Sequence, residues 1–327
     1  MRAVFIKEFG GPENLEIRQV ADPPRPAVGE VIVDVKSAGL NRADLLQRRG
    51  LYPAPKGYSQ QIPGMEFSGI VSESGGETDD IKKGDRVFGL IAGGAQAEKV
   101  LMNSKHLAKV PEHMDLTEAG GIPEVYITAY DAVFTQAGLR SGETLLVHAA
   151  GSGVGLAAIQ LAKAAGAKVI GTSRTVSKLE RCREFGLDEA IDAADGSFAE
   201  KVLGLTNRRG ADVVLELVGG SYLTEDLKCL AQLGRIMLVG LTGGRNAELD
   251  LGAILAKRAK IIGTTLRGRS TEEKTDTTNA FAANVVPLFA SGKLSANIDR
   301  VFPFEEVSKA HEYLESNKSF GKVVLEI

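Results

Sequence analysis

The stretch Thr144–Gly155 constrains this chain more than any other. Thr144–His148 is a strand-forming run that hands over, through Ala149, Ala150, Gly151, Ser152, Gly153, Val154 and Gly155, to the apolar helix-forming run Val154–Ala165. At such a junction the first helical turn presents unpaired backbone N–H groups, and the helix dipole adds partial positive charge. Small side chains let a pyrophosphate approach that backbone, so the geometry is that of a dinucleotide site. A strict G-x-G-x-x-G does not fit: with Gly155 as the last glycine, Ala150 and Ser152 hold the two earlier positions. A glycine-rich turn can also serve packing alone, so the flanking pattern has to decide.

That pattern is an alternation. After a helix over Glu124–Ala137, strands are expected at Thr144–His148, Lys168–Thr172, Ala190–Asp192, Ala211–Leu217, Arg235–Leu241 and Lys260–Thr264. Helices are expected between them at Val154–Ala165, Val176–Phe185, Phe198–Thr206 and Tyr222–Leu230. Strands and helices in turn predict an α/β fold with a doubly wound parallel sheet. The first third reads differently. Its short β-like runs (Ala3–Lys7, Leu15–Val20, Glu30–Ala38, Gly69–Ser72, Arg86–Leu90, Ala97–Leu101) are separated by Gly and Pro and suit a partly open β-barrel. Beyond the polar segment Arg267–Thr278, a helix through Ala290 and a closing strand Lys322–Ile327 are expected to return to that first domain. The expected domains are therefore 1–123 plus 268–327, with 124–267 inserted between them.

A chain of 327 residues, 43% hydrophobic and 25% charged, is long enough for two such cores. Its net charge of -3 and pI near 5.9 give no long-range attraction for a polyanion, so nucleic acid is not an expected partner. Cys182 and Cys229 lie far apart without metal-ligand spacing, which argues against a disulfide framework or a structural zinc site. Met1–Ile6 runs straight into a strand without the apolar core of a secretory signal, and no apolar stretch approaches a membrane span. A soluble, unprocessed, cytoplasmic protein is the expectation.

Roughly twenty residues beyond the turn, a fold that takes NAD carries an acidic residue for the ribose 2′-hydroxyl. Here stand Ser173, Arg174 and Thr175, with Lys178 next, and no acid. Arg174 and Lys178 suit a 2′-phosphate, assisted by the hydroxyls of Ser173 and Thr175, so NADPH is expected over NADH. The same residues also suit a solvated basic helix start.

The segments His148–Gly155 and Leu40-Asn41-Arg42-Ala43-Asp44, and Gly89 followed by the Gly93-Gly94 turn, resemble the zinc-free quinone oxidoreductases of the medium-chain dehydrogenase/reductase superfamily, the zeta-crystallin-like group. With Thr265–Arg269 and Asn317–Lys322 added, the likeness is strongest to the tumour-suppressor-induced branch, and it spans essentially the whole chain. The resemblance implies a Rossmann domain inserted in a GroES-like, partly open barrel, and hydride transfer from NADPH to quinones or other conjugated carbonyls. Zinc-dependent members of the superfamily put a cysteine ligand where Asn41 stands, and a histidine where Met65 stands in Gly64-Met65-Glu66. Neither residue here is a credible zinc ligand, so a metal-free reaction is expected.

By resemblance, Asn41, Asp44 and Tyr52 line the substrate end of the site. The Asn41 amide could hold the nicotinamide or the substrate carbonyl, the Tyr52 hydroxyl could donate a hydrogen bond or a proton, and Asp44 would orient its neighbours. Tyr52 is equally readable as a loop aromatic beside Pro53. The turn Ser152, Gly153, Val154 and Gly155 would hold the pyrophosphate, while Thr128 and Tyr130 match positions near the nicotinamide ribose and the adenine-side phosphate, although helix packing explains them as well. Gly240, Leu241 and Thr242 sit where open α/β sheets place ligands. Leu266, Arg267 and Lys322 complete the implied cofactor contacts. Family members often carry a tyrosine over the 2′-phosphate after the short strand ending at Asp192; here that position is Ala193.

Two rival functions stay open: an enoyl-thioester or alkenal double-bond reductase, and a low-turnover NADPH-binding sensor. His148 reads as a packed strand residue, His106, His113 and His311 as residues in polar surroundings, and Arg48-Arg49 as a solvated face. A homodimer, or a tetramer, is expected through the apolar strands Arg235–Leu241 and Lys260–Thr264 as sheet edges.

Overall fold

The computed structural model describes all 327 residues, Met1–Ile327. They divide into two compact units, Met1–Ile127 with Leu266–Ile327, and Thr128–Thr265.

Seven strands precede the second unit: β1 (Arg2–Ile6), β2 (Leu15–Gln19), β3 (Glu30–Leu40), β4 (Glu66–Ser74), β5 (Arg86–Leu90), β6 (Lys99–Asn103) and β7 (Leu107–Lys109). The second unit contains β8 (Thr144–Val147), β9 (Lys168–Ser173), β10 (Glu189–Asp192), β11 (Ala211–Glu216), β12 (Leu230–Leu238) and β13 (Lys260–Gly263). Two more, β14 (Ile298–Pro303) and β15 (Lys322–Glu326), close the chain within the first unit.

The first unit is organised by β3. It pairs with β4 on one side, with β6 over its first half and with β15 over its second, and its register against β4 shifts at two places. Such irregularities bend a strand and increase its twist, which curls the sheet β14-β15-β3-β4-β5-β7 toward a partly open barrel. Val31, Val33, Phe67, Val71, Val87 and Val100 fill the interior. The last strand is not an appendage: Val323, Val324 and Leu325 are fully buried, and β15 lies between β3 and β14.

In the second unit six parallel strands take the order β10-β9-β8-β11-β12-β13. Counted within the unit this is 3-2-1-4-5-6, the doubly wound order whose switch point falls between its first and fourth strands. β8 and β11 are buried along their whole length, as strands covered on both faces must be, which is why their sequences TLLV and ADVVLE are so apolar.

Several expectations are corrected. The helix expected over Glu124–Ala137 is α-helical only over Pro123–Tyr130 and widens to a π-helix over Asp131–Gln136. β12 begins earlier and ends earlier than Arg235–Leu241, because Val239 and Gly240 both donate to the Glu216 carbonyl and turn away from the ladder. The segment after Arg267 holds more than one helix: Ser270 and Glu273 form a reciprocal capping box that starts a helix at Thr271, and a further helix, Val286–Ala290, carries Pro287 in its first turn. Helix Val307–Glu315 and strand β14 follow, neither of them expected. Arg48 is not on a solvated face but fully buried, with Nε donating to the Gly10 carbonyl at 3.0 Å and Nη2 paired to Glu315 at 2.8 Å. His106 and His311 are likewise buried.

Leu325 stands third from the chain end, yet truncating it to alanine is predicted to cost about 2–5 kcal/mol, as for any fully buried leucine. Urea denaturation checks this, and an unchanged midpoint would show that β15 is dispensable.

Candidate active site

In the first unit the polar residues converge on the end of β3. Asn41 follows that strand and stands at the N-terminus of the helix Arg42–Arg48. Asp44, three residues on, turns back so that its Oδ2 accepts the Asn41 backbone N–H at 2.8 Å, and its Oδ1 accepts that of Gly64 at 3.0 Å. An Asn-x-x-Asp sequence is a helix-start pattern, and it could have disclosed this helix. Asp44 is fully buried, and desolvation pushes its carboxyl up to about 6 against the pull of those two N–H donors.

The Asn41 side chain is held from both ends. Its Nδ2 donates to Glu66 Oε1 at 2.9 Å, and its Oδ1 accepts from Lys322 Nζ at 2.8 Å. The same ammonium donates to the Leu40 carbonyl at 2.7 Å and pairs with Glu66 Oε1 at 2.6 Å. Glu66 Oε2 in turn accepts the Glu124 backbone N–H at 2.8 Å. Lys322 from β15, Glu66 from β4 and Asn41 beyond β3 thus form one network, and Gly39 leaves room for it, since a Cβ there would stand 2.3 Å from Glu66 Oε1.

Glu124 continues the network; the residue is half-buried, with one carboxyl oxygen turned inward. Its Oε2 is enclosed and accepts no hydrogen bond, and burial together with the neighbouring Glu66 pushes the carboxyl up to about 8. Its place in the first turn of a helix favours the ionised form by only about 0.3–1 kcal/mol, too little to offset that desolvation.

Arg267 is buried and serves the loop around Tyr52. Its Nε donates to the Ala92 carbonyl at 2.7 Å, Nη1 to the Tyr52 carbonyl at 2.9 Å and Nη2 to Gln47 Oε1, and the guanidinium carbon lies 4.9 Å from the Tyr52 ring centre. The phosphate contact implied for Arg267 would require that arrangement to open. Leu266 beside it is buried as well, and Tyr52 itself is half-buried.

In the second unit the turn after β8 has the form its sequence suggests. Ala149 takes a positive φ of 47°, Ser152 accepts the Gly155 N–H on its Oγ at 3.1 Å, and the helix Gly153–Ala164 begins there. A Cβ on Gly155 would meet the Ala150 carbonyl oxygen at 2.6 Å, so that glycine is required by close packing of the turn. At the end of β9, Ser173 Oγ accepts the Thr175 N–H at 3.1 Å, while Arg174 and Thr175 are exposed and Lys178 is half-buried. Gly240, Leu241 and Thr242 form a loop past the end of β12, with Thr242 Oγ1 on the Leu217 carbonyl at 3.3 Å. Thr128 is buried, and the Tyr130 ring stacks on Phe134 at 5.3 Å, as helix packing requires.

Ala193 has no aromatic side chain of its own, but a tyrosine from another element meets its backbone. Tyr222, on the helix Tyr222–Cys229, donates its hydroxyl to the Ala193 carbonyl at 3.2 Å, and the Arg174 guanidinium is near enough to lower the Tyr222 phenol's pKa, although burial raises it overall. The sequence gives no local sign of this, because the contact spans 29 residues.

A second buried polar cluster was also missed. His148 Nε2 lies 2.6 Å from Asp226 Oδ1 and 3.9 Å from Glu216 Oε2, its Nδ1 lies 2.7 Å from Thr172 Oγ1, and one ligand atom from each of His148, Glu216 and Asp226 falls within 4.8 Å of the others. Glu216 Oε1 also accepts the Gly219 N–H at 2.8 Å. Burial drives all three toward neutrality: His148 down to about 4, Asp226 up to about 7 and Glu216 up to about 8. An acid ending the fully buried strand β11 was the available signal.

With both units described, the architecture is that of a medium-chain dehydrogenase/reductase. Residues 27–112 match the alcohol dehydrogenase GroES-like domain, and residues 153–283 match the zinc-binding dehydrogenase family. The chain is 33% identical to the quinone oxidoreductase of Homo sapiens over 99% of this chain and 97% of that protein. Among solved structures, the Escherichia coli quinone oxidoreductase complexed with NADPH superposes with a TM-score of 0.88 at 30% identity, covering 100% of both chains. An NAD-dependent alcohol dehydrogenase superposes with a TM-score of 0.89 at 30% identity, again over 100% of both. The chain belongs to the quinone oxidoreductase, zeta-crystallin-like family of medium-chain dehydrogenases/reductases, and is an oxidoreductase.

The buried cluster makes a pH prediction. Between about pH 6.5 and 8 the folded chain keeps protons on Asp226 and Glu216 that the unfolded chain has released, so stability falls as pH rises through that window. The lowered pKa of His148 acts in the opposite sense, but only below about pH 6.5. Asp226→Asn is predicted to flatten the decline in urea midpoint between pH 6.5 and 8.5. Equal slopes in variant and wild type would contradict the assignment.

Proposed function

We propose that this chain is an NADPH-dependent quinone oxidoreductase that works without zinc, passing a hydride to quinones or to other conjugated carbonyl compounds. The observation that carries the reading is the Lys322 ammonium, 2.8 Å from Asn41 Oδ1 and 2.6 Å from Glu66 Oε1. Zinc-dependent relatives need a thiolate and an imidazole where this chain has Asn41 and Met65. An amide and a thioether are poor zinc ligands, and a fixed cation beside the amide repels a divalent ion. The donor set does not fit zinc, so the substrate carbonyl has to be activated by its own conjugation and by hydrogen bonds.

The cofactor, when bound, supplies a hydride. The Ser152–Gly155 turn offers its N–H groups to the pyrophosphate, and Arg174, Lys178 and Tyr222 offer two cations and a phenol for a 2′-phosphate. No acid stands at the end of β9 to repel that phosphate. The quinone oxidoreductase structure with NADPH supports the same preference. Tyr52 and Asn41 supply the polar contacts for the substrate oxygen, and Asp44 fixes the Asn41 backbone. A homodimer through the outer edge of β13 accords with that strand's position at the end of its sheet, and a tetramer would need a second surface. No helix is long and apolar enough to cross a membrane, and a cytoplasmic setting is part of the proposal.

The test is NADPH oxidation with 9,10-phenanthrenequinone and 1,4-benzoquinone, run beside NADH, a crotonyl thioester and Arg174→Ala. Quinone turnover should prefer NADPH, and the variant should raise the KM for NADPH about 10–100-fold while leaving that for NADH nearly unchanged, the loss of one charge-assisted contact. Turnover confined to the thioester would replace quinones by enoyl substrates; NADPH binding without turnover on either would make the chain a sensor.

A further inference from the structure

Completing the reduction of a carbonyl takes a proton as well as a hydride, and the first unit contains a built place to keep one. Three carboxyl groups, Asp44, Glu66 and Glu124, share a network with a single ammonium, that of Lys322. The ammonium is committed: its hydrogen bonds go to Leu40, Asn41 and Glu66. Glu66 is satisfied by Lys322, by the Asn41 amide and by the Glu124 backbone N–H. Asp44 is satisfied by two backbone N–H groups. Only Glu124 is left with an enclosed oxygen and no donor for it. Such a carboxyl is far less costly to bury when neutral.

We propose that Glu124 is the proton store of this site, neutral in the resting protein and supplying its proton to the substrate oxygen through Tyr52. This rests on the quinone reductase reading. The groups that face Glu124 are Glu66 on β4, Lys322 on β15, Asp44 on the helix Arg42–Arg48, Arg267, and Tyr52 on the loop after that helix. Glu66 and Asp44 favour its neutral form, and Lys322 and Arg267 oppose them; with desolvation added, the neutral form prevails at pH 7.

The coupling to Tyr52 runs through charge. An ionised Glu124 raises the Tyr52 pKa and makes the phenol a poorer donor, whereas the Arg267 guanidinium, 4.9 Å from the ring centre, favours the phenolate. A neutral Glu124 therefore leaves Tyr52 ready to give its proton. In the reaction, hydride delivery places two electrons on the substrate and leaves its oxygen anionic. An O–H bond forms at that oxygen as the Tyr52 O–H bond breaks. The phenolate is then reprotonated from Glu124 by way of solvent, and the Glu124 carboxylate regains a proton from water before the next turnover. Charge and atoms balance with one proton consumed from solvent. Glu124 is thus a positioning and supply residue acting through Tyr52.

Two readouts test this on the full chain. The first needs no turnover: carbon-13 NMR of carboxyl-labelled glutamate should show two glutamates titrating near pH 8, Glu124 and Glu216, and one of those two signals should vanish in Glu124→Gln while the other stays. The second is the pH profile of kcat with 1,4-benzoquinone. Wild-type kcat should fall above about pH 8; Glu124→Gln, which cannot give up a proton, should lower kcat at least 10-fold, abolish that limb and leave the KM for NADPH unchanged. Glu124→Asp, retaining a carboxyl, should restore the limb. A glutamate profile from which Glu124→Gln removes no signal titrating above about pH 6.5, or a Glu124→Gln variant with the wild-type limb at wild-type kcat, would overturn the proposal. Failure of the quinone reading appears instead as a wild-type protein that does not reduce quinones.

Discussion

The ammonium of Lys322 is the fixed charge about which the interior of the first unit is arranged. It comes from the last strand and binds the end of β3 through Leu40, the following residue through Asn41, and β4 through Glu66. With Lys322 and Glu66 almost wholly buried, removing either partner would leave the other unpaired in a poor solvent, a cost on the order of 3–5 kcal/mol. The same contact aims the Asn41 side chain, so the architecture of the barrel and the polarity of its site are one problem with one solution. That explains why a chain end, usually the most dispensable part of a domain, is here buried between two strands.

The second unit meets its electrostatic demands differently. At the switch point of the sheet, His148, Glu216 and Asp226 are all inside and no lysine or arginine compensates them in the hydrogen-bond network. Holding protons is what makes their burial tolerable: an imidazole held neutral between Thr172 and Asp226, and two carboxyls pushed up to about 7 and about 8. The outer face of the same sheet end is opposite in character, with Arg174 exposed and the Ser152–Gly155 turn bare of side-chain bulk.

Much of this was legible in the sequence, and the reasons are specific. The strands of the second unit stood out because both faces of β8 and β11 are covered, which forces apolar runs, and the turn stood out because Gly155 has no room for a Cβ. Asn41 stood out in the sequence only through the family resemblance. Its partners were not legible: Lys322 reaches it across 281 positions and Glu66 across 25, and nothing local marks either contact. Tyr222 reaches the Ala193 carbonyl from a different helix, a contact that no spacing rule anticipates. Arg48 and His311 looked solvated because polar residue types favour the surface, and burial overrode that preference. Helix starts at Ser270 and Asn41 carried usable capping patterns that were outweighed by the polarity of what followed.

The proposal of a metal-free reaction rests on an amide at Asn41, held by the Lys322 ammonium, and a thioether at Met65 in the positions of the zinc ligands of zinc-dependent relatives, which assigns the chemistry to the nicotinamide and to conjugated acceptors. Its most direct test is the zinc content of the purified protein, measured by mass spectrometry on the sample whose quinone turnover is recorded with and without a strong chelator. The account predicts zinc far below one ion per chain, with turnover indifferent to the chelator. Stoichiometric zinc, or turnover lost on chelation and restored by zinc, would contradict it.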